Sequence, residues 1–229
     1  MRSVSSNEKK EVLKDWGKYF PNLSMYSPSV LLMKLDLALI GLSLIRLPRC
    51  EKYRPLLVCY PLWKKDNKEN LDEPIFLFEI HGKNDIQFNI PYKTEQRDVV
   101  EAFKCTQMQV GVLLNETVYV KDLLRFFKLL FRDALIESSP VAQAKILEYK
   151  LFISIYMNDM CMIKSVKSDI ERISDTWNPK LFEWKYGKVI DWRMKLFEKI
   201  ENRDAFMEQI SQNMSDVKIS KLRSGHILL

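Results

Sequence analysis

The chain has 229 residues, of which 47% are hydrophobic, so it is long enough to bury one sizeable core or two small ones. Its 36 basic and 30 acidic residues leave a formal net charge of +6 that is spread along the sequence, which excludes a polybasic tail. The two histidines and four cysteines include no C-x-x-C pair, which argues against a zinc site and is typical of reduced thiols in a cytosolic protein.

The first predicted element is an amphipathic helix over Asn7–Phe20, which Ser6 caps and Pro21 ends. The most apolar stretch of the chain follows at Ser29–Pro48, where helical spacing predicts a buried helix to about Ala38. Residues 33–37 also alternate as a strand would, so the two structures compete at this point.

The same apolar stretch is a poor candidate for a membrane span. Lys34 and Asp36 lie inside it, and each would cost about 2.5–3.5 kcal/mol at the centre of a bilayer. The N-terminus has no apolar region behind its charges, so no secretory signal is visible. We therefore expect a soluble, cytoplasmic protein without membrane insertion.

Alternating patterns predict a small antiparallel sheet of about four strands after this helix. The predicted strands are Leu39–Leu47, Leu56–Trp63, Ile75–His81 and Asp85–Ile90. The polar linker "KKDNKENLDEP" between the second and third strands is predicted to be mobile. Apolar residues of the last two strands face each other when Ile80 pairs with Ile86 and Phe78 with Phe88, leaving "GKN" as the turn.

The remainder of the chain has a helical period. The predicted helices are Thr94–Met108, Thr117–Ile136, Pro140–Met157, Cys161–Ser174, Pro179–Glu201 and Arg203–Met214. The predicted fold is therefore α+β, with N-terminal helices and a small antiparallel sheet followed by an all-helical C-terminal half. The predicted divisions are residues 1–93, the helical array 94–214 and a flexible tail 215–229.

One cluster of residues has the chemistry of an acid–base site. Glu79 and His81 lie two residues apart on a predicted strand, so they share a face, and Asp85 lies across the turn. A general base needs such proximity, and a Glu-x-His pair is also a way to begin a metal site. The alternative is an ordinary solvated strand face, which this pattern favours, and neither a nucleophile nor a third ligand is evident.

A second feature is a basic helix face. Its residues are spaced by four, three and four positions, opposite an apolar stripe: Lys121, Arg125, Lys128 and Arg132. Such a face can contact nucleic-acid phosphates or an acidic protein partner. The alternative is that it only keeps an amphipathic helix in water.

The third feature is an aromatic segment near the C-terminus. Its candidate partner-binding residues are Trp177, Trp184, Tyr186 and Trp192, with Lys185 and Lys188 beside them. Trp and Tyr are enriched among residues that dominate binding energies, so this segment is predicted to hold a protein partner. The alternative is a helix buried between two others.

These features favour a non-enzymatic protein-binding module. The six glycines are scattered, and the sequence contains neither a G-x-S-x-G elbow nor an H-E-x-x-H motif, so no cofactor is expected. The concrete hypothesis is an immunity protein or antitoxin that neutralises a co-encoded bacterial toxin, since complementary shape and charge leave no short motif. The alternatives are a nucleic-acid-binding protein that uses the basic helix face and, third, an enzyme that uses Glu79 and His81.

Overall fold

The computed structural model describes residues 4–93 and 96–229, which form a mixed α/β fold with ten α-helices and an eight-stranded sheet in these ranges. The strands are β1 (Ser24–Ser27), β2 (Val30–Leu35), β3 (Ala38–Arg46), β4 (Lys52–Pro61), β5 (Phe76–Glu79), β6 (Ile90–Pro91), β7 (Thr117–Tyr119) and β8 (Ser224–Leu228). The helices are α1 (Ser6–Tyr19), α2 (Asn67–Asp72), α3 (Gln96–Val110), α4 (Val120–Leu130), α5 (Ala134–Glu137), α6 (Pro140–Tyr156), α7 (Met160–Ser174), α8 (Pro179–Tyr186), α9 (Val189–Glu201) and α10 (Arg203–Met214).

The sheet is larger and more varied than the predicted four-stranded antiparallel one. Its strand order is β5-β4-β3-β2-β8-β7, and β1 and β6 extend it by pairing with β2 and β4. The pairs β2–β3 and β3–β4 are antiparallel, whereas β8 runs parallel to both of its neighbours. Within the described ranges, no helix is both long enough and apolar enough to cross a bilayer.

The predicted helix from Ser29 to about Ala38 is wrong, because this segment is strand β2 and the turn into β3. Most of β2 is buried on both faces, which produces a nearly continuous apolar run that resembles a buried helix in sequence. The turn is tight because Asp36 adopts a positive φ of 48°, a conformation that Asp tolerates better than most residues.

The predicted flexible tail is also wrong at its end, where β8 inserts between β2 and β7. Gly225 and Ile227 are buried while their neighbours are exposed, the alternation of a half-buried strand. The buried Asp36 carboxylate accepts a hydrogen bond from the Ile227 N–H at 2.7 Å and fixes the strand to the β2–β3 turn. The C-terminal half is therefore not all helical, although the division at residue 93 stays a prediction.

The predicted pairing of Ile80 with Ile86 is wrong by a shift of register. The backbone bridge instead joins His81 to Gln87, and residues 83–85 form a short 3₁₀ turn. Asn84 and Asp85 both have positive φ values, of 57° and 60°, so the loop is wider than the three-residue turn expected from apolar pairing alone. Of the predicted strand Asp85–Ile90, only the bridge and the start of β6 remain.

The polar linker between β4 and β5 contains helix α2, which Asp66 caps. Its buried Asn70 accepts a hydrogen bond from the Lys64 N–H, and α10 holds the same segment through Asn213, which donates to the Leu62 and Lys64 carbonyls. Polar side chains thus order a segment whose composition resembles that of a loop.

The helical predictions are mostly confirmed, with two breaks. Thr117–Ile136 divides into β7, α4 and α5, and Pro179–Glu201 divides into α8 and α9 at Gly187, whose φ is +72°. Thr94, the predicted start of the helix now seen as α3, lies outside the described residues. Helix α6 is buried on several sides and contacts α5, α7, α8 and α10, which explains why its apolar residues are spread around the helix and not confined to one stripe.

Candidate partner-binding groove

Helix α4 carries the basic face predicted from sequence and is amphipathic. Its inward residues Leu123, Phe127 and Leu130 are almost completely buried, so hydrophobic packing fixes the rotation of the helix. Asp122 lies in the first turn and Lys128 in the last, which complements the helix dipole. The basic face therefore points outward on a firmly anchored helix.

A groove of about 400 Å³ runs between α4 and the end of α3 with its following 3₁₀ turn, Gly111–Leu114. The buried Leu113 and Phe126 lie at its base. Its lining residues are Gln109, Val112, Leu113, Asp122, Arg125, Phe126, Lys128, Leu129 and Arg132. The volume falls in the range of ligand-sized clefts, and the groove is partly open to solvent.

The rim of the groove is basic and available for binding. Arg125, Lys128 and Arg132 are exposed, and within residues 4–93 and 96–229 none of them forms an ion pair. Lys121 lies next to the groove with its Nζ 4.8 Å from the centre of the Tyr119 ring, a cation–π contact. Three of the four predicted cations thus have no internal partner in the described part of the chain.

Apolar side chains lie among these cations. Val112 is 46% exposed and Leu129 is 47% exposed, and both line the groove. A surface that places exposed aliphatic groups beside Arg and Lys offers both apolar burial and charge pairing. Val112 was not predicted, since it belongs to a 3₁₀ turn with no periodic signal.

The acid–base cluster does assemble as the sequence suggested. The Nδ1 of His81 lies 2.8 Å from the Asp85 carboxylate, and its Nε2 lies 4.0 Å from Glu79. Glu79 also forms an ion pair with Arg54 at 3.1 Å and accepts a hydrogen bond from Gln87 at 3.0 Å. Side-chain reach brings these groups together despite the shifted backbone register.

The surroundings of this cluster favour the interpretation of a polar strand face. The Asp85 side chain is 87% exposed, so the carboxylate that pairs with His81 is open to solvent. In the described ranges, no Ser, Thr or Cys side chain bonds to His81, and no three metal-binding side chains converge. An enzyme built on Glu79 and His81 stays a hypothesis.

The aromatic segment is divided between core and surface. Trp177 and Trp192 are buried, and their indole N–H groups donate to Gln143 and Glu148, each at 2.7 Å. These two rings stabilise the monomer and are not free to meet a partner, so that part of the prediction is corrected. Trp184 is 74% exposed and is the part of the segment that still offers a ring.

The other predicted residues around Trp184 differ in availability. Lys185 forms an ion pair with Glu73 and is therefore not available to a partner, while Lys188 is exposed. Tyr186 is half-buried and stacks on Phe182, and its pKa is raised because burial disfavours the charged phenolate.

Sequence reasoning missed a charged cluster beneath α8. Glu73 binds Lys145 at 2.6 Å and also binds Lys185, while Glu148 lies close by with the Trp192 indole. Burial lowers the pKa of Lys145 and raises that of Glu148. The adjoining cavity is only about 20 Å³, room for about one water molecule, so the cluster ties elements together and does not admit a substrate. Lys145 and Glu148 are one helical turn apart on α6, but no sequence signal places Glu73 beside them.

The three surfaces differ in which side chains remain available to a binding partner. The groove on α4 offers unpaired cations and exposed aliphatic groups, the acid–base cluster is engaged internally, and the aromatic segment offers one exposed indole. Comparison with protein-family models, with curated proteins and with solved structures found no match for this chain.

Proposed function

We propose that this protein is a non-enzymatic binding module that holds an acidic protein partner in the groove on α4. The observation that carries the proposal is the combination at one site of three cations that form no ion pair in the described chain with the exposed Val112 and Leu129. Desolvating aliphatic groups supplies binding energy, and charge complementarity supplies association rate and selectivity.

Two features of the groove favour a protein over a nucleic acid. Asp122 lines it and repels phosphates and carboxylates alike, but a protein partner can place a cation opposite Asp122 among its acidic residues, whereas every backbone unit of a nucleic acid is anionic. Phe126, which also lines it, is buried and presents no free face for stacking a base. A net charge of +6 is compatible with either partner.

The groove is a better docking surface than the aromatic segment. Of the three tryptophans in this segment, Trp184 alone is exposed, because Trp177 and Trp192 belong to the core. A binding site needs a central apolar contact surrounded by polar groups, and the groove has that arrangement.

The concrete form of the proposal is an immunity protein or antitoxin that neutralises a co-encoded bacterial toxin. The basic groove requires acidic groups on the toxin, which favours a non-nuclease toxin over one whose own surface is basic to bind nucleic acid. Co-expression with the product of an adjacent gene tests this form. A co-purifying complex that Lys128→Glu with Arg132→Glu dissociates supports it, and the absence of any complex refutes it.

The binding proposal itself is tested with defined probes. The first probe is a labelled peptide that contains glutamates and leucines, and the second replaces the leucines by serines at equal charge. We expect fluorescence anisotropy to show the leucine peptide binding at least about tenfold more tightly, since roughly 1.4 kcal/mol of apolar burial is enough for that ratio. Equal affinities would mean that charge alone is recognised and would overturn the proposal.

A matched pair of variants locates the site. Lys128→Glu with Arg132→Glu reverses two charges at the groove, and Lys195→Glu with Lys199→Glu reverses two exposed charges on α9. Only the first pair is expected to weaken peptide binding, by about tenfold or more. A short DNA duplex is the third probe, and retardation at low salt that the groove variant alone removes would replace the protein partner by a nucleic acid.

A further inference from the structure

We propose that a cavity between α1 and α3 binds a small, uncharged aromatic molecule that carries a hydrogen-bond acceptor, such as an aryl ketone. This cavity shares no lining residue with the groove on α4, so the inference does not depend on the proposed function. Three features of the cavity support it: aromatic walls, a buried tyrosine hydroxyl and charges at the solvent-exposed edge that are paired with each other.

The size of the cavity suits a small molecule. Its volume is about 280 Å³, it is partly open to solvent, and β4 and the end of β6 complete its wall between the two helices. An apolar cavity of roughly 150 Å³ is enough to hold benzene, whereas drug-sized ligands occupy clefts of about 300 Å³ or more. The space therefore fits one ring with a substituent or two fused rings.

Aromatic rings form much of the cavity wall. The ring centroids of Tyr53 and Tyr92 are 5.0 Å apart, and Tyr19 stacks on Phe103 with the centroids 3.8 Å apart. All four residues line the cavity, and all except Tyr19 are buried. Stacked and edge-to-face contacts with such rings favour an aromatic ligand beyond what the burial of apolar area supplies. A flat ring is therefore the expected occupant.

The polar groups of the buried wall are phenols. The Tyr53 hydroxyl accepts a hydrogen bond from the Trp16 indole at 3.2 Å and keeps its own proton to donate. The Tyr92 hydroxyl is buried, and within residues 4–93 and 96–229 it has no hydrogen-bond partner. Burial raises the pKa of both phenols, to about 12 for Tyr53, so both are protonated at neutral pH. Because an unpaired buried hydroxyl is unfavourable, a ligand that brings an acceptor to Tyr92 is preferred over one that does not.

The charges at the edge of the cavity favour a neutral ligand. The Lys18 ammonium lies 2.7 Å from the Asp15 carboxylate, one turn away on α1, so each already has its counter-ion. An organic anion would have to lose its hydration among aromatic rings without a free cation to compensate. A cation would gain from the ring faces, but it offers no acceptor to the Tyr92 hydroxyl.

Three compounds test the proposal on the full isotope-labelled chain: 1-indanone, indane, which lacks its carbonyl, and tetramethylammonium. Binding is followed through the methyl signals of Val12, Val99 and Val100, which line the cavity. We expect indanone to shift these signals and tetramethylammonium to leave them unchanged at equal concentration. Tyr92→Phe, which removes only the hydroxyl, should weaken indanone about fivefold or more relative to indane, because it removes the donor that the carbonyl needs.

A matched pair of variants locates the site. Val100→Trp fills the cavity and should abolish indanone binding, whereas Val112→Trp fills the groove on α4 and should not. Val100→Trp should also leave the acidic peptide bound to the groove, which separates this inference from the proposed function.

The proposal would be overturned if indanone left the valine methyl signals unmoved, or if its binding survived Val100→Trp. An affinity for indanone, relative to indane, that Tyr92→Phe leaves unchanged would show that no acceptor is recognised. Shifts caused by tetramethylammonium and not by indanone would replace the neutral ligand by a cation.

Discussion

Glu73 and Glu148 lie near the same lysines, yet their pKa values move in opposite directions. Burial acts on both carboxylates to raise the pKa. At Glu73 the hydrogen bonds and attraction of Lys145 and Lys185 together outweigh burial, so the pKa falls below its usual 4.5. At Glu148 burial dominates over the Trp192 hydrogen bond and the more distant lysines, so the pKa rises. The charge of Glu73 therefore stabilises the fold, whereas that of Glu148 opposes it.

This contrast predicts different effects for two conservative substitutions. Glu73→Gln is expected to lower the free energy of unfolding by about 1–2 kcal/mol at pH 7, a modest value because the side chain is more than a third exposed. Glu148→Gln is expected to leave it unchanged or higher, since the new amide oxygen still accepts the Trp192 N–H. Urea unfolding of both variants and the parent chain measures these differences.

The pH dependence of the free energy of unfolding tests independently whether each carboxylate stabilises or destabilises the fold. A carboxylate with a lowered pKa contributes stability above pH 4.5 that is lost as the pH falls through its folded pKa, so the deficit of Glu73→Gln should shrink toward acid. A carboxylate with a raised pKa costs stability as the pH rises above 4.5, so any gain from Glu148→Gln should grow toward neutral pH. The opposite trends would contradict the assignment of roles.

At the scale of single elements, sequence predicts helices better than strands in this chain. The bounds of α10 match the prediction, and α6 and α7 match within one residue; Ser139 and Pro140 mark the start of α6, and Asp159 caps α7. Strand β2 was missed because most of it is buried on both faces, so the period-two pattern that distinguishes a strand from a helix was confined to residues 33–37. The break at Gly187 was missed because a helical pattern tolerates an isolated glycine, so the residue type alone does not show that the helix ends there.

Two glycines differ in the space that the structure leaves for a side chain, so we expect them to respond differently to substitution by alanine. In β3, a Cβ at Gly41 would lie 1.9 Å from the Leu31 carbonyl oxygen, whereas in α1 a Cβ at Gly17 meets nothing within 4 Å. Gly41→Ala should cost about 3 kcal/mol or more, and Gly17→Ala should add about 0.5–1 kcal/mol. Thermal unfolding compares them, and a Gly41→Ala chain as stable as its parent would contradict the packing of β2 on β3.

The aromatic segment allows a separate comparison of core and surface. Trp192→Ala should lower the free energy of unfolding by about 3–5 kcal/mol because it removes a buried ring and leaves Glu148 without a hydrogen bond. Trp184→Ala should change stability by less than about 0.5 kcal/mol and leave binding of the leucine-containing acidic peptide unaltered. A loss of peptide affinity in Trp184→Ala would move the docking surface to the aromatic segment.

At the scale of the whole molecule, the features that could not be predicted from sequence are those formed by residues far apart in the chain. Helical periodicity is local and indicated a basic face at α4, but it could not indicate the groove, since Val112 lies on a 3₁₀ turn and Leu129 on a helix. The C-terminal strand pairs with β2, almost two hundred residues earlier, and no local pattern encodes that partner. Its short apolar alternation was too brief to outweigh the polar residues before it.

The central claim is that the groove on α4, and neither the aromatic segment nor the acid–base cluster, is the docking site. The most direct measurement is a two-dimensional NMR titration of the isotope-labelled chain with the leucine-containing acidic peptide. We expect shifts centred on the Val112, Arg125 and Leu129 amides, with the signals of the Trp184 indole and His81 unchanged. Shifts centred on Trp184 or on His81, with those of α4 unmoved, would contradict it.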